Sequence, residues 1–276
     1  MQIHHLSCSS MCPLGGSLVG AQGSVLSRGR MICHCLLIET DAHGLVLVDT
    51  GFGTADIASP NERIGRAFMA LSKPSLDPHE TAIGRVKSLG FRAEDVRHIL
   101  LTHMDLDHAG GLGDFPHAKV HVLSAELSAA LARDTLNEKG RYKPTQWAHN
   151  PDWSAYVPSE GDRWKGFACV RDLTGLPPEI LMVPLTGHTR GHAAIAVQDA
   201  QGWLMHCGDS YFYHGEMEQI YRCPAGLKAF QRTMAYDRKQ CLDNQARLRE
   251  LVQTEGASLR TFSAHDPVEY ERLTKQ

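Results

Sequence analysis

Between Ile99 and Gly111 the chain places His103, Asp105, Asp107 and His108 within six residues. Imidazole nitrogens and carboxylate oxygens together suit a divalent transition metal. Alternate side chains on an extended segment face one way, so His103, Asp105 and Asp107 can converge. His108 follows, at the expected start of a helix. Ile99, Leu100 and Leu101 read as the end of a buried strand. Gly110 and Gly111 are expected to let the backbone turn sharply and approach the ions. A dense His/Asp cluster directly after an apolar strand fits metal binding better than a chance surface loop.

The run Thr102-His103-x-Asp105-x-Asp107-His108-x-Gly110-Gly111 resembles the metal motif of the metallo-β-lactamase superfamily, T-H-x-H-x-D-H-x-G-G. It departs from that motif at Asp105, where most members carry His. The other segments of the family pattern follow in order: Gly187-His188, Gly208-Asp209, Ala264-His265-Asp266 and, upstream, Val48-Asp49-Thr50-Gly51. Together they span the chain from about residue 30 to 268. The resemblance implies an α/β fold, the αββα four-layer sandwich, over a single domain of residues 1–276. It also implies a dinuclear site. His103, Asp105 and His188 would form site 1, and Asp107, His108 and His265 site 2. Asp209 would bridge them, with a water or hydroxide as second bridge. His192 then supports a ligand from behind or packs at a helix start. Asp49 is either an acceptor that orients a metal-binding turn or a turn-capping Asp; it is not read as a ligand.

The elements that must carry these residues can be read from pattern. Residues 31–39 and 45–48 form strands around a turn at Gly44. Residues 52–76 read as a long loop with one short helix, and long loops often cover substrates. Asp77-Pro78 is expected to open a helix with an apolar stripe of Ile83, Val86 and Leu89, stopped at Gly90. Lys119–Leu123 alternates as a strand with His121 a sheet residue, and Ser124 to Arg133 is helical. Residues 137–166, with Arg141, Tyr142, Lys143, Trp147, Trp153, Tyr156 and Trp164, read as an insertion. It either walls a substrate pocket or packs over the domain edge. Strands follow at 167–170, 180–183, 193–197 and 203–207. A helix from Met234 to Gln253 should turn Cys241, Leu242, Leu248, Leu251 and Val252 inward, before a last strand from Leu259.

Composition narrows the function classes. A net charge of −3 gives no nucleic-acid footprint. No run of 18 apolar residues suggests a membrane span, and no secretory signal is read, so a cytoplasmic protein with reduced thiols is expected. The eight cysteines lack zinc-ribbon spacing, and Cys33 and Cys35 read as buried structural residues.

The chemistry expected of the resembled site is hydrolysis, with a metal-bound hydroxide attacking a carbonyl or phosphoryl centre. No G-x-S-x-G elbow competes. With hydroxide bridging, Asp105 makes the ligand charge neutralise two divalent ions, where His would leave one net positive charge. Zinc is the first choice of cofactor, and manganese or iron is open because of the extra carboxylate. The substrate is read as a small lactone or other carboxylic ester. Tyr211 and Tyr213, directly after the bridging Asp, are catalytic candidates for hydrogen-bonding an oxyanion or protonating a leaving oxygen, with strand-end packing as the other reading. Asp107 and Asp209 complete the catalytic set. Two alternatives stand: a thioesterase of glyoxalase II type, with Arg141 and Lys143 holding an anionic thiol carrier, and a di-iron redox protein. A homodimer is also allowed for.

Overall fold

The computed structural model describes residues 1–20, 23–158 and 162–275. Its strands are β1 (Gln2–Met11), β2 (Met31–Glu39), β3 (Leu45–Val48), β4 (Val96–Leu100), β5 (Lys119–Leu123), β6 (Asp152–Tyr156), β7 (Arg163–Trp164), β8 (Phe167–Ala168), β9 (Ile180–Pro184), β10 (Ala193–Asp199), β11 (Gly202–His206) and β12 (Leu259–Phe262). The first six form one mixed sheet in sequence order. A second sheet runs β12-β11-β10-β9, and β7-β8 is a small separate ribbon.

Period-two alternation sorts the apolar side chains into layers. In β2 and β3, Leu36, Ile38, Val46 and Val48 enter a core shared with Met182, Ile195, Val197, Leu204 and Phe262 of the second sheet. Their neighbours Cys35, Leu37, Leu45 and Leu47 face the opposite way, onto Val86 and Ala130 of two helices. On the far side of the second sheet, Leu181, Ala194 and Met205 meet Leu248 and Leu251 of the helix Arg238–Glu255. Helix, sheet, sheet and helix therefore stack in four layers. Strands buried on both faces explain the near-continuous apolar runs.

Several elements differ from expectation. The strand β1 has little apolar character, with His4, His5, Ser7, Ser9 and Ser10 in it, yet it pairs antiparallel with β2 along its length, with an irregularity between Ser7 and Ser10. Residues 52–76 are mostly helical: Thr54–Ala58, a π-turn at Asn61–Gly65 and Arg66–Ser72. Asp77 caps only a short 3-10 turn, Pro78–Glu80, and the α-helix Ala82–Ser88 begins after Thr81, whose hydroxyl accepts from the Gly84 N–H. A separate helix, Ala225–Met234, comes first, and the helix expected from Met234 to Gln253 is Arg238–Glu255, opened by the Asp237 N-cap. Its inner face is Gln245, Leu248 and Leu251, while Leu242 is exposed. Within 137–166, Asp152–Tyr156 is an integral edge strand, paired parallel with β5. Among the described residues no helix is long and apolar enough to cross a membrane.

Candidate metal centre

The parallel pairings of β3 with β4 and of β11 with β12 bring their C-terminal ends to one edge. β9, separated from β11 by the antiparallel β10, runs the same way. From that edge hang His103 after β4, His188 after β9, Asp209 after β11 and His265 after β12. Loops at the edge of a rigid scaffold can hold such groups without straining the sheet.

The side chains meet in two groups. His103 Nε2 lies 3.4 Å from Asp105 Oδ2, and His188 Nε2 lies 3.1 Å from that same oxygen. Asp209 Oδ2 is 3.4 Å from His188 Nε2 and 3.8 Å from His103 Nε2. In the second group, Asp209 Oδ1 is 3.4 Å from His108 Nε2 and 3.1 Å from His265 Nε2. Those two imidazoles are 3.4 Å apart, and Asp107 Oδ2 is 3.7 Å from His265 Nε2. Atoms bound tetrahedrally at 2.0–2.1 Å lie roughly 3.3 Å from one another. The donor set therefore fits a divalent cation in each group. His103 Nε2 and Asp209 Oδ1 are buried with no hydrogen-bond partner, as ligand atoms pointing at one centre would be.

The remaining contacts aim these donors. His108 Nδ1 donates to Asp49 Oδ2 at 2.8 Å, and the Thr102 N–H and hydroxyl donate to the same carboxylate at 2.8 and 2.7 Å. His265 Nδ1 donates to the Ile32 carbonyl at 2.7 Å. Each bond leaves Nε2 facing the cluster. His192 supports Asp209: its Nδ1 donates to the Leu185 carbonyl and its Nε2 accepts the Asp209 N–H at 2.9 Å. A side chain at Gly208, where φ is +52°, would meet His192 Nε2 at 2.5 Å, so this position requires glycine. Gly110 has a different role from the one expected. Its Cβ would strike Asp56 Oδ2 at 2.4 Å and the Gly51 carbonyl at 2.6 Å. It packs against the 51–56 segment rather than making room for ions.

Charge follows the geometry. Burial alone would raise the Asp209 carboxyl, but His265 and His108 outweigh it and hold it well below the usual range. Burial opposes the Asp49 carboxylate too, yet His108, then His206 and His103, bring it down to about 2.

Sequence reasoning missed four neighbours. Glu126, fully buried, accepts the Met104 and Gly191 N–H groups at 2.9 and 3.0 Å and the Tyr142 hydroxyl at 3.1 Å, tying the two ligand loops together. The Phe212 ring stacks on His265 at 5.3 Å. Cys33 Sγ, Asp107 and His265 offer atoms within 4.8 Å of one another, so a thiol read as purely structural borders the second group. Arg141, which the thioesterase alternative gives to an anionic carrier, is buried with its Nε 3.1 Å from Asp105 Oδ1. It is not free to hold an anionic carrier. Tyr211 is also turned inward: it is fully buried, and its hydroxyl donates to Glu269 at 2.9 Å. Tyr213 lines a cavity of about 180 Å³ with Met31, Phe212, Leu227 and His265. His121 is a sheet residue as expected, bonded to Tyr156 and His98.

Fold and site define a metal-dependent hydrolase, and the comparisons agree. The model of the metallo-beta-lactamase superfamily matches residues 28–218, and the chain belongs to that family. It is 41% identical over 271 residues to a probable metallo-hydrolase of Mycobacterium tuberculosis, covering 98% of this chain and 82% of that protein. It is 31% identical to the N-acyl homoserine lactonase of Bacillus cereus over 114 residues, 40% of this chain and 45% of that one. Among solved structures, it is similar to an N-acyl homoserine lactone hydrolase with N-hexanoyl-L-homoserine bound at the catalytic metal center (TM-score 0.72, 19% identity, 98% of this chain and 95% of that one). It is also similar to a dizinc quorum-quenching lactonase (TM-score 0.62, 17% identity, 96% and 87%).

Proposed function

We propose that this metallo-hydrolase opens a small lactone or other carboxylic ester, using two divalent cations. Zinc is the first choice for both positions. His103, Asp105 and His188 would hold one ion, Asp107, His108 and His265 the other, and Asp209 both. The observation that carries this reading is the division of Asp209, whose Oδ2 belongs to one tetrad of donor atoms and Oδ1 to the other. Cations held there would supply acidified water and polarise a carbonyl oxygen.

The chain's own residues do the rest. Asp49, Ile32 and His192 hold His108, His265 and Asp209 in place, so that these donors need not reorganise as charge develops. The cavity beside His265, walled by Met31, Phe212 and Leu227, suits the apolar part of an acyl substrate. Asp107 is the most open of the three clustered carboxylates, at 12% side-chain exposure against 8% for Asp105 and 6% for Asp209. Asp107 would take up the proton released by the attacking water and pass it to the departing alkoxide. Tyr213 on the cavity wall is the phenol available to hydrogen-bond that oxygen. Partial identity to an N-acyl homoserine lactonase supports the lactone assignment.

The test is a panel of lactones, aryl esters and glutathione thioesters on chain reconstituted separately with zinc, manganese and iron. Lactones and aryl esters should turn over fastest. Preference for the thioesters, or no hydrolysis with any metal, would overturn the assignment.

A further inference from the structure

Asp105, Asp107 and Asp209 bring three carboxylates into one cluster, and the Arg141 guanidinium meets it at Asp105. The Arg141 side chain is 5% exposed. It comes from the short helix Leu136–Arg141, which a capping box of Thr135 and Glu138 fixes at its start. Glu138 also accepts from Arg190 Nε at 2.7 Å, fastening that helix to the loop between His188 and His192. From there Arg141 Nη1 donates to the His188 carbonyl at 2.8 Å and Nη2 to the Met234 carbonyl at 3.1 Å. Nη2 also lies 3.4 Å from His188 Nε2, and Nε stands 3.1 Å from Asp105 Oδ1. At that angle the contact is ionic rather than an aligned hydrogen bond, and neither atom has another hydrogen-bond partner. Asp105 Oδ2, on the other side of the carboxylate, faces His103 and His188.

We propose that Arg141 is the charge partner of Asp105, holding Oδ1 so that only Oδ2 reaches the metal cluster and cancelling the negative charge this carboxylate adds. The inference rests on the two-cation reading above. A buried guanidinium beside a cation site is costly unless an anion compensates it, and Asp105 is the carboxylate within ionic contact. Arg141 thus acts through Asp105 and is a positioning residue.

A charge partner and a mere scaffold predict opposite outcomes in a rescue experiment. Asp105→His leaves a nitrogen ligand but strands the guanidinium beside two cations, so zinc should bind more weakly, on the order of tenfold or more. Adding Arg141→Met removes the stranded charge and should restore zinc affinity to within a few fold of the parent, roughly. Competition with a chromophoric chelator reads both, and cobalt spectra report the geometry, independently of turnover. Where the Met variant does not fold, Asp105→His with Arg141→Gln keeps a donor for the His188 carbonyl and is read the same way. A double variant binding no better than Asp105→His overturns the pairing. A parent chain that takes up a single equivalent overturns the two-cation reading and the pairing with it, while two equivalents without rescue overturns the pairing alone.

Discussion

Asp49 Oδ2 accepts from His108 Nδ1 at 2.8 Å, and this contact selects which nitrogen of His108 faces the cluster. The same carboxylate holds the Thr102 N–H and hydroxyl.

Asp49→Asn should therefore leave the metal count intact at saturating zinc but lower affinity, about tenfold to a hundredfold, the usual effect of losing an orienting acceptor. Equilibrium dialysis at limiting and saturating zinc separates the two. Loss of an equivalent at saturation would make Asp49 a ligand rather than an orienting group.

Glu126 ties the His103 loop to the His188–His192 loop through two backbone N–H groups. Glu126→Ala strands both donors in a buried site, and a destabilisation of about 2–4 kcal/mol is expected. Urea unfolding of the metal-free chain measures it. Gly191→Ala should be at least as damaging, because its Cβ would sit 2.2 Å from the Glu126 nitrogen.

The two tyrosines after Asp209 should behave differently. Tyr211→Phe removes a buried hydrogen bond to Glu269, costing about 1 kcal/mol of stability with turnover unchanged. Tyr213→Phe should leave the unfolding midpoint in place and lower kcat on the lactone, roughly tenfold or more as expected for losing a proton-transfer or oxyanion partner. Equal kcat values for parent and Tyr213→Phe would remove Tyr213 from the mechanism.

The site was more legible than the elements around it. The family pattern picks out His103, His188, Asp209 and His265 from short segments after apolar strands, and the structure brings these side chains together. Arg141 and Glu126 could not be read this way. Each acts through a long-range contact, with Asp105 and with Gly191, and their local sequence carries no trace of it. β1 escaped because its serines and histidines lack the alternation of a half-buried strand; its burial comes from pairing with β2. The Tyr211–Tyr213 pair shows the limit of adjacency, since alternate residues that could share a face are separated by the turn after Asp209.

Acid sensitivity follows from histidines away from the metal cluster. Burial foremost, with nearby positive groups, lowers His5 and His98 to about 4 and His121 to about 3. The unfolded chain takes up these protons near pH 6.5, while the folded chain refuses them until pH 4 or 3. Stability of the metal-free chain should thus fall as pH drops from about 6.5 to about 4, and this contribution should level off below about 3. His121→Phe should flatten that fall by up to one proton, at most about 1.4 kcal/mol per pH unit. Parallel stability profiles for parent and variant would show that His121 is not held neutral.

Asp209 is proposed to serve two ions at once. Its oxygens divide between the two donor tetrads, and two dications about 4 Å apart repel by roughly 4 kcal/mol each charge pair at an effective dielectric of 20, which a shared carboxylate offsets. The direct measurement is zinc content after gel filtration, read beside lactone turnover, for the parent chain and Asp209→Ala. Two equivalents are expected in the parent, and Asp209→Ala should lose at least one equivalent together with hydrolysis. Two equivalents and normal turnover in Asp209→Ala would show that Asp209 does not bridge two ions.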